Sequence, residues 1–283
     1  MRSQRATIAT LVGPAACWLG VFMFAPLVII LVFSVTTRGE YGQTIYAIDF
    51  HHYVQFVDRL YLLILARSFY VAGVTTLVTL MIGYPFAYYV ARAPAEKRNF
   101  LLLLIVIPFW TNFLLRTYAW VVILRAEGVI NSILTGVGLI DKPLAMLYNT
   151  PSVILGSVYG FLPFMVLPLY TSIEKLDWSL IEAAFDLGAR PWQAFLRVTL
   201  PLTLPGIVAG SILTFIPALG MFVIPDLMGG AKTVLVGNLI QNQFLTARNW
   251  QFGSAASVIL MALVIGGLLV YGKIAGFEEE KKR

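Results

Sequence analysis

The residues able to do chemistry are few, and most of them fail a spacing test. His51 and His52 stand beside Asp49, all types that can ligate a metal. Adjacent histidines do not share a helix face as an i,i+4 pair does, and no third ligand accompanies them, so the segment reads as a polar surface loop. Gly229-Gly230-Ala231-Lys232-Thr233 invites comparison with a phosphate loop. Its lysine follows alanine and the earlier glycine is missing, so no nucleotide site is predicted and ATP hydrolysis must belong to another subunit. Cys17 is the single cysteine, which excludes an internal disulfide and a cysteine metal site.

What is left is docking chemistry, in the stretch from Glu174 to Pro201. Ser179 followed by Glu182 has capping-box spacing and predicts a short helix over 180–187. Gly188 is placed to end it in a left-handed position, and Pro191 to open a second short helix ending near Thr199. The expected product is a helix-turn-helix wedge. Ile181, Ala184, Phe185 and Gly188 share one face, and Glu182 and Asp186 form an acidic i,i+4 pair on another. Phe185 as an anchor among the small Ala183, Ala184 and Gly188 suits a groove on a partner. A short loop lying on the membrane surface is the alternative that physics alone leaves open.

The elements that must carry such a wedge follow from composition. Charged residues are 12% of the 283, against about 25% in a typical soluble domain. Apolar residues are 59%, and the mean hydropathy is +0.83. These values exclude a disordered chain, a nucleic-acid binder and an ordinary soluble enzyme. Crossing a hydrocarbon core takes roughly 20 apolar residues in helical form. Six stretches qualify: residues 11–35, 68–90, 100–124, 151–173, 204–224 and 254–274. The expected fold is all-α, a single polytopic transmembrane domain over 1–283 with six membrane helices. The first run is longer than the apolar part of a signal peptide. Residues 53–66, apolar with scattered charge, predict an interfacial helix leading into the second span.

Direction comes from charge. Twelve of the 20 Lys and Arg fall on one side of this six-span scheme: Arg2, Arg5, Arg92, Lys97, Arg98, Lys175, Arg190, Arg197, Lys273, Lys281, Lys282 and Arg283. That side is expected to be cytoplasmic and to hold both termini and the wedge. Arg116 lies about 24 Å into the third span and can snorkel to the outer headgroups. Thr150-Pro151 reads as an N-cap and first helical residue opening the fourth span. Pro85, Pro108, Pro163, Pro168 and Pro217 fall inside spans and predict bends. Gly156/Gly160 and Gly206/Gly210 have the spacing that lets helices approach closely.

The wedge resembles the EAA loop of bacterial ABC importer permeases. Glu182-Ala183-Ala184 is followed after three residues by Gly188, and after nine more by Val198-x-Leu200-Pro201, with valine where that pattern has isoleucine. A narrower resemblance, to the first-permease type of spermidine/putrescine importers, covers nearly the whole chain. It is carried by 83–87 (Gly-Tyr-Pro-Phe-Ala), 108–120 (from Pro108-Phe109-Trp110 to Ala119-Trp120), 162–170 (Leu162-Pro163-Phe164 to Tyr170) and 226–232 (Asp226 to Lys232). Relatives importing ferric iron, opines or amino-acid derivatives share much of this grammar, so another small solute stands as an alternative. A secondary transporter is disfavoured, because no Asp or Glu lies in the middle of a span.

The resemblance implies a type I ABC importer permease fold in the bacterial inner (plasma) membrane. It implies a non-catalytic subunit that couples ATP hydrolysis elsewhere to solute movement. Residues 174–203 would be the coupling loop, with Ile181, Glu182, Ala183, Ala184, Phe185, Asp186, Gly188, Leu200 and Pro201 serving contact with the ATPase. Expected partners are two copies of an ATP-binding subunit, a second permease forming a heterodimer, a periplasmic binding protein and a small cationic solute, with no nucleic acid. No cofactor is expected on this chain, while ATP and Mg would bind the partner ATPase. For a polycation, Trp110, Tyr118, Trp120, Tyr159 and Asp226 are path candidates, offering aromatic faces and an acid. Arg116 would then point away from the path or be paired.

Overall fold

The computed structural model describes residues 2–39, 42–230 and 233–280, with side chains described over 12–39, 42–230 and 233–273. Ala231 and Lys232 of the glycine-rich stretch, the side chains of Arg2, Arg5 and 278–280, and the tail 281–283 lie outside the described residues. In chain order the helices are α1 (Arg2–Ser34), α2 (His51–Phe56), α3 (Arg59–Arg92), α4 (Ala95–Trp110), α5 (Phe113–Leu124), α6 (Val129–Gly136), α7 (Thr150–Glu174) and α8 (Ser179–Asp186). They continue with α9 (Pro191–Ala194), α10 (Leu200–Leu202), α11 (Leu204–Gly220), α12 (Val236–Leu245) and α13 (Trp250–Glu280). Phe195–Thr199 and Pro225–Gly229 are π-helical turns.

Among the described residues, four helices are long and apolar enough to cross a membrane: Val12–Ser34 of α1, α3, α7, and Trp250–Lys273 of α13. The number rises to six if each of two bent pairs counts as one span. The expected third span, 100–124, falls in one of these pairs: α4 and the segment Phe113–Gly136 meet at 90°. Thr111 is extended (φ −76°, ψ 151°), and its hydroxyl donates to the Pro108 carbonyl at 2.6 Å. Asn112 then starts a new helix, its Oδ1 accepting from the Leu114 amide at 2.8 Å. A capping asparagine inside an apolar run thus breaks what hydropathy alone reads as continuous.

Within the expected fifth span, 204–224, α11 runs from Leu204 to Gly220. The segment Pro191–Leu202 enters α11 with a 65° bend. Pro201 explains the irregularity before that bend. Its ring crowds the carbonyl four residues back, at Arg197, and it offers no N–H. The backbone widens there into a π turn, closed by Leu200 N–H donating to Phe195 O. At the start of α7 the cap is Asn149, not Thr150. Its Oδ1 accepts from Ser152 N at 2.9 Å, which puts Thr150 inside the helix and Pro151 in its first turn. Residues 53–66 do not form one interfacial helix: α2 ends at Phe56 and α3 begins at Arg59.

The chain divides into two compact units, Met1–Leu62 with Leu239–Arg283, and Leu63–Asn238. In the first, α1 and α2 pack on α13. Phe252 is buried with its ring 4.8 Å from Tyr61 and 6.3 Å from Phe56. The only departure from helix among the described residues with ladder pairing is the antiparallel pair β1 (Thr37–Arg38) and β2 (Thr44–Ile45). His52 is buried against Phe252, whereas His51 is exposed. Among the described residues no group of three His, Cys, Asp or Glu could hold a metal.

In the second unit α7 is the axis, and its two ends belong to different cores. Near its start Val153 joins Val71, Val121, Leu124, Leu147, Ile224, Met228 and Leu235. Near its end Met165, Val166, Leu169 and Ile173 join Tyr84, Ala87 and Ala91 of α3. The glycine pairs serve this packing. A Cβ on Gly210 of α11 would meet Met165 Sδ at 2.8 Å, and one on Gly156 of α7 would meet Met228 Sδ at 2.5 Å. Close helix approach without side chains is what that spacing permits.

Candidate functional site

The wedge is built from α8, α9 and the π turn that follows. α8 starts differently from the expected capping box. Asp177 Oδ1 accepts from the Ser179 amide at 3.0 Å, so the aspartate two residues earlier does the capping and Ser179 is the first helical residue. The end of α8 is closed twice, Gly188 N donating to Phe185 O at 2.8 Å and Ala189 N to Ala184 O at 3.0 Å. Gly188 sits at φ +83°, where a Cβ would strain the backbone although open space surrounds it.

The faces of α8 sort by partner. Ile181 is 7% exposed and forms a small core with Leu176 and Ala194, flanked by Trp178, Ala184 and Val198. Glu182, Ala183, Phe185, Asp186 and Gly188 are exposed, Phe185 by 46%. The face predicted as one surface therefore divides: Ile181 and Ala184 hold the wedge together, and Phe185 stands outward. Leu200 packs against the Tyr84–Met165 core, and Pro201 is exposed. Tyr84 Oη lies 2.8 Å from Thr203 Oγ1, tying α3 to the bend before α11.

Sequence reasoning missed the base on which the wedge stands. Arg98 donates from Nη1 to Glu174 Oε1 at 2.7 Å, and from Nη2 to the carbonyls of Ala91 and Ala93 at 3.3 and 3.4 Å. One guanidinium thereby joins the end of α3, the start of α4 and the end of α7. Beside it the Arg92 guanidinium lies 5.2 Å from the Trp178 ring and 5.8 Å from the Tyr88 ring. These side chains, with Glu182 and Phe185, border a cavity of about 400 Å³. In the sequence both arginines counted only as charges that orient the chain. The one local signal was Arg92 following Tyr88 at i,i+4 spacing.

The path candidates do not form one cluster. Trp120 and Tyr159 meet edge-on at 5.7 Å. Trp110, 79% exposed, ends α4 at the break, and Tyr118, 52% exposed, lies on α5. Asp226 is exposed on the second π turn and accepts from Asn238 Nδ2. Asn238 is 3% exposed, also donates to Phe222 O at 2.9 Å, and was not singled out by the sequence. Arg116 is half-buried, its guanidinium 5.3 Å from the Phe109 ring and 5.8 Å from the Phe113 ring, with Nε buried and without a hydrogen-bond partner.

α8 is thus a short, exposed helix whose end is closed by two backbone hydrogen bonds, and known proteins supply the context. The family described as binding-protein-dependent transport system inner membrane component matches residues 80–275, which include the wedge and the path candidates. The chain is 44% identical over 276 residues to the spermidine/putrescine transport system permease protein PotB of Escherichia coli, covering 97% of this chain and 98% of that one. It is 43% identical over 280 residues to the protein of the same name from Salmonella typhimurium, covering 98% and 96%. In fold it resembles a chain of a bacterial ABC transporter involved in the import of the acidic polysaccharide alginate, with TM-score 0.77 at 17% identity and 96% of each chain covered. A match across residues 80–275, on a chain whose long apolar helices suit a membrane, places this protein as a multi-pass permease subunit within the family of binding-protein-dependent transport system inner membrane components.

Proposed function

We propose that this chain is a permease subunit of an ATP-driven importer of polyamines, spermidine and putrescine. The observation that carries the substrate class is the 44% identity over nearly the full length of both chains to a spermidine/putrescine permease. A second, related permease completes the path, and a periplasmic binding protein delivers the solute. Two copies of a partner ATPase bind ATP and Mg, and this chain binds no cofactor. Both termini and the wedge face the cytoplasm. Glu182, Ala183, Phe185, Asp186 and Gly188 dock on the ATPase, with Ile181 and Ala184 as the wedge's internal support and Leu200 and Pro201 joining it to α11. Trp110, Tyr118, Trp120, Tyr159 and Asp226 contribute aromatic faces and a carboxylate to the path of a flexible polycation.

The test is reconstitution of the chain in liposomes with its second permease, ATPase and binding protein. ATP-dependent, saturable uptake of labelled putrescine or spermidine that disappears in Gly188→Asp is the expected result. ATP hydrolysis stimulated by the binding protein without polyamine uptake would keep the importer and overturn the substrate, with iron and amino acids as the competitors to try next.

A further inference from the structure

A wedge that moves with an ATPase must pass its movement to helices it is not part of, and the structure offers a specific connection. α7 runs into the wedge by the chain itself, and α11 runs out of it. α3 has no such covalent link, yet its last turn supplies Tyr88, Ala91 and Arg92 to the cavity under α8. Trp178 is the residue immediately before α8. It packs both on the Tyr84–Met165 core and on the Ile181 core, so it belongs at once to the scaffold and to the wedge. Its ring meets Tyr88 edge-on at 5.7 Å, and the Arg92 guanidinium lies 5.2 Å from it.

Resting on the importer reading above, we infer that Arg92, Trp178 and Tyr88 form a clamp that carries displacement of the coupling wedge to α3. Arg92 is its positioning residue. An indole and a phenol alone would slide past each other, since an edge-on pair of rings has a shallow minimum. A guanidinium within reach of both ring faces adds directional attraction to each and makes the three groups move as one. Its neighbour Arg98 cannot substitute, because it is held by Glu174 and by the Ala91 and Ala93 carbonyls. Glu182, the remaining charged group lining the cavity, lies on α8 itself and moves with the wedge.

The readout is coupling, measured as solute imported per ATP hydrolysed by the reconstituted full complex. Arg92→Gln is expected to lower that ratio about two- to fivefold, the size of one exposed cation–π contact. ATPase binding and binding-protein-stimulated hydrolysis should persist. Arg92→Lys is expected to restore part of the loss. Trp178→Leu should lower the ratio as well, and the double variant should be no worse than Trp178→Leu alone, the signature of two residues acting as one unit. An unchanged ratio in Arg92→Gln, or losses that multiply in the double variant, overturns the clamp. If Trp178→Leu does not assemble, Tyr88→Leu takes its place in the cycle. A wild-type complex that shows no ATP-dependent uptake of any solute would instead overturn the importer reading.

Discussion

Where α7 begins, the side chains that hold the second unit together are neutral, buried and bonded to backbone. Where α7 ends, a buried apolar core and the neutral Tyr84–Thr203 contact are joined by charged side chains that are only partly buried. At the first end Asn131 is 1% exposed and makes three bonds, donating to the carbonyls of Arg125 and Leu144 and accepting from the Leu144 amide. Ser152 Oγ donates to Met228 O at 2.8 Å, Ser68 Oγ accepts from Val236 N at 2.8 Å, and Tyr148 N donates to Met228 O at 2.8 Å. Each bond fixes a loop that has no ladder of its own. At the other end the Arg98–Glu174 pair is 28% and 39% exposed, and Arg92 is exposed above its two rings. Buried neutral bonds are costly to leave unmade, whereas exposed ion pairs are cheap to break and remake. By this measure the polar contacts of the first end cost more to break than those of the second.

The largest test of that contrast is Asn131→Ala. It leaves two carbonyls and one amide without their partner in a loop around a 1% exposed site. A loss of about 2–4 kcal/mol is expected, since each unmade buried bond costs about 1–3 kcal/mol and the loop relaxes in part. Thermal unfolding of the detergent-purified permease should show it as a clear fall in Tm. A variant that melts with the wild type would remove the first end from the comparison.

Next in size is Gly156→Ala, also at the first end. The new methyl would meet Met228 Sδ at 2.5 Å and Ile224 Cγ2 at 3.2 Å. Overpacking of this kind costs about 1–3 kcal/mol, moderated here by the flexibility of methionine. Replacing Met228 with alanine alongside it should recover part of the loss, and a melt of the three variants reads that recovery directly.

The wedge supplies the sharper case, because there space and strain separate. Gly188→Ala meets no neighbour, yet Gly188 lies at φ +83°. The expected cost is about 1 kcal/mol, local to the end of α8. It should appear as faster amide exchange over 185–189, with the Tm of the whole permease unchanged. A Tm shift as large as that of Asn131→Ala would mean the wedge is as rigidly integrated as the opposite end.

These two glycines also mark what the sequence made legible. Gly188 was readable because a helix-ending glycine is a local requirement, set by residues within one turn. The long spans were readable because hydropathy depends only on composition over about 20 residues. The 90° break at Thr111-Asn112 was missed because a single capping asparagine has little weight in such a window. The base of the wedge was missed for a different reason. Arg92 reaches Trp178, and Arg98 reaches Glu174, across most of α4 to α7, and nothing local to either arginine names its partner. Asn238 likewise acquires its role from Phe222 and Asp226, which only the fold brings near.

The smallest expected effect decides whether the second end is held by charge or by geometry. Arg98 does two things: it pairs with Glu174, and it satisfies the Ala91 and Ala93 carbonyls left open where α3 ends. Glu174→Gln removes the opposite charge and leaves the carbonyl bonds. A pair this exposed is worth at most about 1 kcal/mol, and less in salt, so the variant should change Tm little and the change should shrink between low and high ionic strength. Arg98→Gln removes both functions and should cost more, with a remainder that salt does not erase, because bonds to backbone carbonyls depend weakly on screening. If the two variants are equal and both vanish in salt, charge alone holds this end. If Arg98→Gln keeps a salt-independent deficit, the arginine is foremost a cap on α3, and the ion pair is the salt-sensitive part of this end.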